Sequence, residues 1–171
     1  CDEVQCGNGR SGTLYAYMQY GLSPDVVTTA KGLAGGLPLG ATLLGDKVAD
    51  LFTPGSNGST FGGNPIAAAG ALYVLSGLDD DLLAGVSRKS EQIRAALTGA
   101  PGVESVTGLG LMLGVQTTLP AKEVASRCIK RGVLVLTAKD KVRLLPALNI
   151  PDDLLMQAIG ILKDICAEGV Q

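Results

Sequence analysis

The sequence contains no histidine among its 171 residues. This absence excludes a Ser-His or Cys-His nucleophile pair within the chain, and it excludes a zinc site that uses histidine ligands. Cysteine is scarce too, and the four cysteines form no C-x-x-C pair. Cys1 and Cys6 could supply half of a metal site, but no second pair lies near them in the sequence. We therefore predict no metal and interpret Cys1, Cys6, Cys128 and Cys166 as buried or free thiols in a reducing cytoplasm.

An excess of charge of one sign and long apolar runs are also absent. The 14 basic and 16 acidic residues give a net charge of −2, without the basic surplus typical of proteins that bind nucleic acid or anionic membranes. The apolar runs are short, and the beginning of the chain lacks the pattern of a secretion signal. The composition fits a cytoplasmic protein of one ordinary domain, or a small domain plus part of another. Because Cys1 is not an initiator methionine and an acidic pair follows at once, we interpret the sequence as a fragment.

The first part of the chain is rich in glycine, and its polar motifs cluster between short apolar runs. The β-branched run that begins at Val26 predicts a buried strand, and Asn64-Pro65 predicts a helix start with asparagine as the N-cap. The predicted elements are a turn at 7–12, a helix near 13–20, strands at 26–30 and 41–44, loops at 35–38 and 55–64, and a helix at 65–76.

From about residue 79, charged helical patterns alternate with short apolar strands. The predicted elements are helices at 80–98, at 121–131 and from Pro151 onward, and strands near 103–107, 110–117, 133–137 and 141–145. The helical spacing of the last segment predicts a buried face made of Leu154, Leu155, Ala158, Ile159, Leu162 and Ile165. The two parts together predict an α/β protein with a boundary near residue 78.

Asp2 and Lys31 are the first candidates for chemistry. If strand 26–30 lies beside the segment that ends near Val4, both residues emerge at the same sheet edge, where open α/β sheets bind ligands. A solvated ion pair is the alternative, since most lysines are surface charges. Lys31, however, has only apolar, threonine and glycine neighbours, with no other charge from 26 to 45. Such a lysine is easily desolvated, which favours the neutral amine that Schiff-base chemistry needs.

Four motifs, in order and correctly spaced, resemble those of the class III aminotransferases. They are Asp2-Glu3-Val4-Gln5 with Gly7-Asn8-Gly9-Arg10-Ser11-Gly12, then Thr28-Thr29-Ala30-Lys31 after Pro24-Asp25, then Gly58-Ser59-Thr60-Phe61-Gly62-Gly63-Asn64-Pro65, and Leu134-Val135-Leu136-Thr137-Ala138 with Val142-Arg143-Leu144-Leu145-Pro146-Ala147-Leu148. The last pair is similar to the acetylornithine branch of the family in particular. The departures are slight: Asn8 and Ser11 stand where the family more often has Met and Thr, and Cys6 where it usually has Thr.

The resemblance implies a pyridoxal 5'-phosphate cofactor and a role for each motif residue. Asp2 would bind the protonated pyridine nitrogen in a charge-assisted hydrogen bond. Val4 would pack on the cofactor ring, with an ordinary core residue as the alternative, and Gln5 would hydrogen-bond the phenolic oxygen. Lys31 would form the Schiff base with the cofactor and then move the proton between the substrate Cα and the cofactor's C4′.

The resemblance also implies a phosphate site in the second polar loop. Ser59 and Thr60 would bind the cofactor phosphate, and glycine-bordered loops before a helix suit phosphates because backbone N–H groups can approach closely. In the family the threonine serves the neighbouring subunit's cofactor, which implies a homodimer with shared active sites. The alternative is a plain Ser/Thr turn that caps helix 65–76.

Arg143 lies between apolar residues in a strand-like segment. One interpretation is an edge-strand charge that discourages aggregation. The resemblance implies instead a bidentate clamp for the substrate carboxylate, which suits the planar guanidinium fork. Arg10 is interpreted as a structural residue that closes its loop.

The resemblance implies a fold-type I architecture, with 1–78 as the end of the large cofactor domain and 79–171 as the complete small C-terminal domain. The expected reaction is transfer of the terminal amino group of N-acetylornithine to 2-oxoglutarate, in arginine biosynthesis. The alternatives are another class III aminotransferase, acting on ornithine, succinylornithine or 4-aminobutyrate, and a non-catalytic relative that acts as an interaction module. We expect a fragment of this extent to be inactive by itself, since the family's glycine-rich phosphate loop would lie upstream.

Overall fold

A computed structural model describes residues 1–170 of the chain, which divide into two compact units, Cys1–Leu83 and a second that begins at Ala84. No helix among the described residues is long and apolar enough to span a membrane. The assignment of 1–78 to a large domain and 79–171 to a small one stays a prediction.

The first unit is built around strand β1 (Val26–Thr29), which pairs antiparallel with β2 (Ala41–Leu44). On its other side β1 meets the start of the chain through a parallel bridge between Asp2 and Thr28. The β-branched composition of β1 explains the strand, because such side chains pack well on a pleated, half-buried surface. Both predicted strands of this unit are confirmed.

Helix α1 (Pro65–Ser76) begins where the sequence predicted. The Asn64 side chain accepts a hydrogen bond from the Ala67 amide at 2.9 Å, and Pro65 occupies the first helical position, where no amide donor is needed. The helix predicted near 13–20 is shorter, a 3-10 helix at Ala16–Tyr20. Its start is fixed by the carboxylate of Glu3, which lies outside the segment. The helix propensity of residues 13–20 therefore does not reveal where the helix begins.

The second unit packs helices on an antiparallel sheet whose strand order is β3-β4-β6-β5. The strands are β3 (Val103–Leu109), β4 (Met112–Thr117), β5 (Leu136–Ala138) and β6 (Lys141–Leu144), and the helices are α2 (Asp80–Leu97, from Ala84 onward in this unit), α3 (Ala121–Lys130) and α4 (Asp152–Ala167). A single core joins the buried faces of all three helices to the sheet, and it includes Val86, Ile93, Leu113, Val124, Val142 and Leu162. These fully buried aliphatic side chains are the main favourable term in the folding of this unit.

Two strand predictions in this unit need correction. The strand predicted at 133–137 is β5, which starts only at Leu136, because the Val133 amide donates to the Cys128 carbonyl at 2.9 Å and closes the end of α3 instead of joining the sheet. The strand predicted at 110–117 starts at Met112, because Gly110, with φ of 51°, forms the turn between β3 and β4.

The buried face of α4 follows the predicted spacing with one exception. Leu155, Ile159, Leu162 and Ile165 are buried and Ala158 is half-buried, whereas Leu154 is 51% exposed. Helical geometry explains the difference, because adjacent residues lie about 100° apart around the helix and cannot share a narrow face.

The neighbouring pair Leu154 and Leu155 allows a matched test of this core. Leu155 is 2% exposed, so Leu155→Ala should lower the free energy of unfolding by about 2–5 kcal/mol through lost burial and a residual cavity. Leu154→Ala, in the same helix, should cost less than about 1 kcal/mol. Urea unfolding followed by circular dichroism measures both, and equal losses would contradict the packing described for α4.

Candidate active site

The start of the chain and strand β1 run in the same direction, so their carboxyl ends meet at one sheet edge. The Glu3 amide donates to the Thr28 carbonyl at 2.8 Å, and the Thr28 amide donates to the Cys1 carbonyl at 3.0 Å. Gln5 follows the bridge by three residues on one segment, and Lys31 follows it by three residues on the other. The structure therefore brings Asp2, Gln5 and Lys31 to the same edge, as the sequence predicted for Asp2 and Lys31.

The Asp2 carboxylate is exposed and held in a fixed orientation. Its Oδ1 accepts a hydrogen bond from the Val4 amide at 3.0 Å, which leaves Oδ2 for another partner. This local turn also sets the direction in which Val4 and Gln5 leave the sheet, and both side chains are half-buried. Among residues 1–170, Asp2 forms no ion pair with Lys31, so the solvated ion pair weighed as an alternative is not found.

Lys31 opens a 3-10 helix, Lys31–Ala34, two residues beyond the end of β1. Its φ is 52°, in the left-handed region that a residue with a Cβ rarely adopts. The residue is exposed, so the desolvation predicted from its apolar sequence neighbours is not found among the described residues: Leu33 and Ala34 are buried, but Lys31 is not. The amine contacts no hydrogen-bonding or charged partner among the residues that the structure describes.

The side chain of Asn8 contacts the backbone just before Lys31. Its Nδ2 donates to the Ala30 carbonyl and to the Thr29 hydroxyl, both at 3.0 Å, and the Thr29 hydroxyl lies 3.3 Å from Asn8 Oδ1. Sequence reasoning treated Asn8 only as part of a turn. The signal that pointed to it was its departure from the methionine more common in the family.

Glu3 is a second residue that sequence reasoning missed. Its buried carboxylate accepts hydrogen bonds from the Ala16 and Tyr17 amides, at 3.0 and 2.9 Å, and so closes the first turn of the 3-10 helix at Ala16–Tyr20. Anions are favoured at the amide-rich start of a helix. A second carboxylate directly after Asp2 and before the apolar Val4 is the signal that could have found it.

The Cys6 thiol lies against the same carboxylate. Its Sγ is 3.1 Å from Glu3 Oε2 and 3.3 Å from the Asp2 carbonyl oxygen. Burial, the hydrogen bond to Glu3 and the negative charge of Glu3 raise the pKa of Cys6 to about 11. Cys6 is therefore a protonated donor at neutral pH.

Ser59 and Thr60 lie in the exposed loop before α1. The Gly62 amide donates a hydrogen bond to the Ser59 carbonyl at 3.1 Å and closes a turn at this position. The side chain that caps α1 is Asn64, so the hydroxyls of Ser59 and Thr60 do not cap the helix. Helix α1 packs on the 3-10 helix that begins with Lys31. A Cβ at Gly70 would lie 3.1 Å from the Ala34 carbonyl oxygen, which is tighter than an ordinary van der Waals contact, so glycine favours this close approach.

Arg143 belongs to the second unit, in strand β6. That strand lies between β4 and β5, so the interpretation of Arg143 as an edge-strand charge is wrong. The half-buried guanidinium has no hydrogen-bond or charge partner among residues 1–170. Arg143 is one of the residues around a largely apolar cavity of about 320 Å³, with Leu134, Leu136, Ile150, Leu155 and Ile159 among the others. An unpaired guanidinium in such surroundings suits a bound carboxylate.

The groups of the first unit fit pyridoxal phosphate by their donor chemistry. They comprise an unpartnered amine at Lys31, a carboxylate with a free oxygen at Asp2 and an unpartnered amide at Gln5. Ser59 and Thr60 add two exposed hydroxyls. These match the aldehyde, the pyridine nitrogen, the phenolic oxygen and the phosphate of the cofactor. Among residues 1–170, no group of three or more His, Cys, Asp or Glu residues is placed to hold a metal.

The sequence pattern of the family "Aminotransferase class-III" matches residues 1–166. The chain therefore belongs to the class III aminotransferases, as its motifs indicated. Members of this family depend on pyridoxal phosphate and act on amino and keto acids.

Curated relatives and solved structures agree with this family. Acetylornithine aminotransferase of Haemophilus ducreyi is 50% identical over 98% of this chain, which corresponds to 43% of that relative. The enzyme of the same name from Corynebacterium efficiens is 47% identical over 98% of this chain and 42% of its own length. N-acetylornithine aminotransferase of Stenotrophomonas maltophilia superposes with a TM-score of 0.86 at 37% identity, over 98% of this chain and 46% of that structure. Ornithine delta-aminotransferase of Plasmodium falciparum gives 0.87 at 31% identity, over 99% and 46%.

These superpositions confirm the predicted fold class, an α/β part of the aminotransferase fold. The chain spans less than half the length of the curated relatives it matches.

Alkylation of Cys6 tests the electrostatics around Glu3. With a pKa of about 11, Cys6 should react with iodoacetamide at pH 8 roughly a hundredfold more slowly than a free thiol of pKa about 8.5, since the thiolate is the nucleophile. The rate should rise about tenfold per pH unit until the pH approaches that pKa. Glu3→Gln should accelerate the reaction, because it removes the negative charge beside the sulfur. Mass spectrometry of the Cys6 peptide gives the rates, and an unaltered rate in Glu3→Gln would contradict the assignment.

Proposed function

We propose that this chain carries the lysine-bearing part of a pyridoxal-phosphate-dependent aminotransferase that moves the terminal amino group of N-acetylornithine to 2-oxoglutarate, in arginine biosynthesis. The observation that carries the proposal is the position of Lys31 at the sheet edge beside Asp2, in a chain up to 50% identical to acetylornithine aminotransferases. Open α/β sheets bind ligands at such edges.

Each residue of the first unit would hold one part of the cofactor. Lys31 would hold the aldehyde carbon, Asp2 the pyridine nitrogen through its free oxygen, and Gln5 the phenolic oxygen, while Val4 would cover one face of the ring. The hydrogen bond from the Val4 amide keeps the Asp2 carboxylate in one orientation, which supports a charge-assisted hydrogen bond that Asp2 would accept from a single donor, the protonated pyridine nitrogen.

When bound, pyridoxal phosphate supplies an electron sink that acidifies the amine-bearing carbon of the substrate. Lys31 would then take the proton from that carbon, and its neutral amine is the only base we assign to this step. Its position after β1 is fixed by the 3-10 helix that it opens, where the Leu33 amide donates to the Ala30 carbonyl at 3.1 Å.

Ser59 and Thr60 would hold the cofactor phosphate of a second subunit, which makes the proposed enzyme a homodimer with shared active sites. Their loop, the segment just before it and the helix after it expose large apolar side chains, as an interface would require. These side chains are Leu51, Phe52, Phe61, Ile66, Leu72 and Tyr73.

Arg143 would bind the carboxylate of the amino and keto acids. The guanidinium is unpaired among the described residues and half-buried beside apolar side chains, where a bidentate carboxylate contact is strongest. In this proposal residues 1–78 close the large cofactor domain and 79–171 form the small domain that supplies Arg143.

Another class III aminotransferase, acting on ornithine, is the second candidate. It is favoured by the superposition on ornithine delta-aminotransferase of Plasmodium falciparum, although the identity to that structure is only 31%. Steady-state kinetics of the full-length protein with N-acetylornithine, ornithine, succinylornithine and 4-aminobutyrate would separate the two. The proposal expects the highest kcat/KM with N-acetylornithine, and no activity with any amine would favour a non-catalytic relative.

Replacing the lysine tests the proposed reaction directly. Lys31→Ala in the full-length protein should lower the transamination rate by at least about 10²–10⁴-fold, since the Lys31 amine is the group that the proposal assigns to move the proton. The fold should persist, because the side chain contacts no polar partner among the described residues. Lys47→Ala is the matched control: that lysine is exposed and pairs only with Asp25 at 3.1 Å, so the rate should not change. Near-normal turnover of Lys31→Ala would refute the assignment.

A conservative change at Arg143 tests the carboxylate site. Arg143→Lys keeps the charge but loses the two-pronged contact, so kcat/KM for 2-oxoglutarate should fall by roughly 10- to 100-fold. Arg127→Lys, on the surface where Arg127 pairs with Glu123 and Glu168, should leave kcat/KM within about twofold. Kinetics with both substrates measure the difference, and equal behaviour of the two variants would remove Arg143 from the site.

A further inference from the structure

We infer that Asn8 is a positioning residue for Lys31, because its side-chain amide fixes the backbone that delivers the lysine. The inference rests on the proposed function, since the position of Lys31 affects a reaction only if its amine takes part. Asn8 itself has no assigned contact with substrate or cofactor.

The backbone of Lys31 needs an external constraint. Its φ of 52° lies in the left-handed region, where side chains that carry a Cβ are disfavoured. Such conformations persist only where the surrounding structure determines them. The local contact is the Leu33 amide on the Ala30 carbonyl, a single hydrogen bond of 3.1 Å within the 3-10 helix.

Asn8 supplies the constraint from another part of the chain. Its Nδ2 gives the Ala30 carbonyl a second donor at 3.0 Å, and its amide also engages the Thr29 hydroxyl, at 3.0 Å from Nδ2 and 3.3 Å from Oδ1. Asn8 is 8% exposed and Thr29 is 2% exposed. Water therefore has little access to replace these bonds, and losing them would leave buried polar groups unpaired.

Asn8 can hold Ala30 because it is itself held. Its φ of 53° is also left-handed, a conformation that asparagine tolerates better than most residues. The turn around it is closed by the Arg10 amide on the Gly7 carbonyl at 3.2 Å and by the Gly12 amide on the Gly9 carbonyl at 3.0 Å. The side-chain amide of Asn8 therefore links the turn around Asn8 to the turn that begins at Ala30.

The consequence concerns the relative position of the two reacting groups. Asp2 and Gln5 precede Asn8 on the same segment, whereas Lys31 directly follows the residue that Asn8 holds. The backbone bridge at Asp2 and Thr28 fixes these segments three residues before Lys31, and Asn8 fixes them one residue before it. Without the Asn8 amide, Lys31 would keep its chemistry but lose its fixed approach to a cofactor held by Asp2.

Two variants separate this role from others. Asn8→Gly tolerates the positive φ but removes the amide, and Asn8→Asp keeps the shape but cannot donate to the Ala30 carbonyl. The first readout starts from the cofactor-free full-length protein, to which pyridoxal phosphate is added. At successive times borohydride traps the bound cofactor on Lys31, and mass spectrometry quantifies the modified Lys31 peptide. We expect trapping to slow about tenfold in both variants, because small misplacement of a reacting group is costly.

The second readout is the split between kcat and KM. Transamination should lose about tenfold in kcat, while KM for both substrates stays within about twofold, because the substrate contacts are unaltered. Ile165→Val is the matched stability control, since it removes one buried methylene in the second unit and should cost about 0.5–1.5 kcal/mol of stability with kcat and trapping unchanged.

Each outcome decides one question. Wild-type trapping and kcat in Asn8→Gly and Asn8→Asp would overturn the inference, and so would losses that Ile165→Val reproduces at equal stability. If Lys31→Ala is inactive while the Asn8 variants behave as wild type, only the inference fails. If Lys31→Ala remains active, the proposed function fails, whatever the Asn8 variants do.

Discussion

The parallel pairing of Asp2 with Thr28 is the constraint on which the candidate site depends. Two backbone hydrogen bonds, of 2.8 and 3.0 Å, place the segment that carries the carboxylate beside the strand that delivers the lysine. Parallel neighbours have their carboxyl ends at one edge, so residues far apart in sequence become adjacent without any contact between their side chains. The other contacts described at this edge orient the groups that this pairing brings together. The Val4 amide orients the carboxylate, and the buried carboxylate of Glu3 organises the segment that follows.

The second unit shows how a complete core can present one unpaired charge. Strand β6 is central to its sheet, and Val142 and Leu144 point into the core on either side of Arg143. Alternation along a strand then directs the Arg143 side chain to the opposite face of the sheet. A half-buried guanidinium without a partner costs stability. The aliphatic core that includes Val86, Ile93 and Leu162 offsets that cost, so this unit can hold an anion-binding group ready for a ligand.

Local signals made most of the fold predictable from the sequence, and distant contacts account for the misses. The N-cap at Asn64, the β-branched run of β1 and the spacing in α4 are properties of neighbouring residues, and all three are confirmed. The strand predicted at 133–137 starts only at Leu136, because the Val133 amide closes the end of a helix. The helix predicted near 13–20 is shorter, because Glu3 fixes its start. The motifs indicated Asp2 and Lys31 as candidates. The roles of Asn8 and Glu3 were missed, because their backbone partners lie 13–22 residues away, and the local signals at these two residues do not show which groups their side chains contact.

Amine chemistry at Lys31 requires both a fixed position for the amine and the exclusion of water from it. The residues described here determine the position of the amine, through the end of β1, the 3-10 helix and the Asn8 amide. They do not bury it, although a neutral amine is favoured by desolvation. Under the proposed function, the surfaces that close over this edge, including the cofactor and a second subunit, must supply that burial. Association with a second subunit would cover the exposed apolar side chains around Phe61 and Tyr73 and would also remove water from Lys31. The proposed dimer therefore explains why these apolar side chains are exposed in this chain.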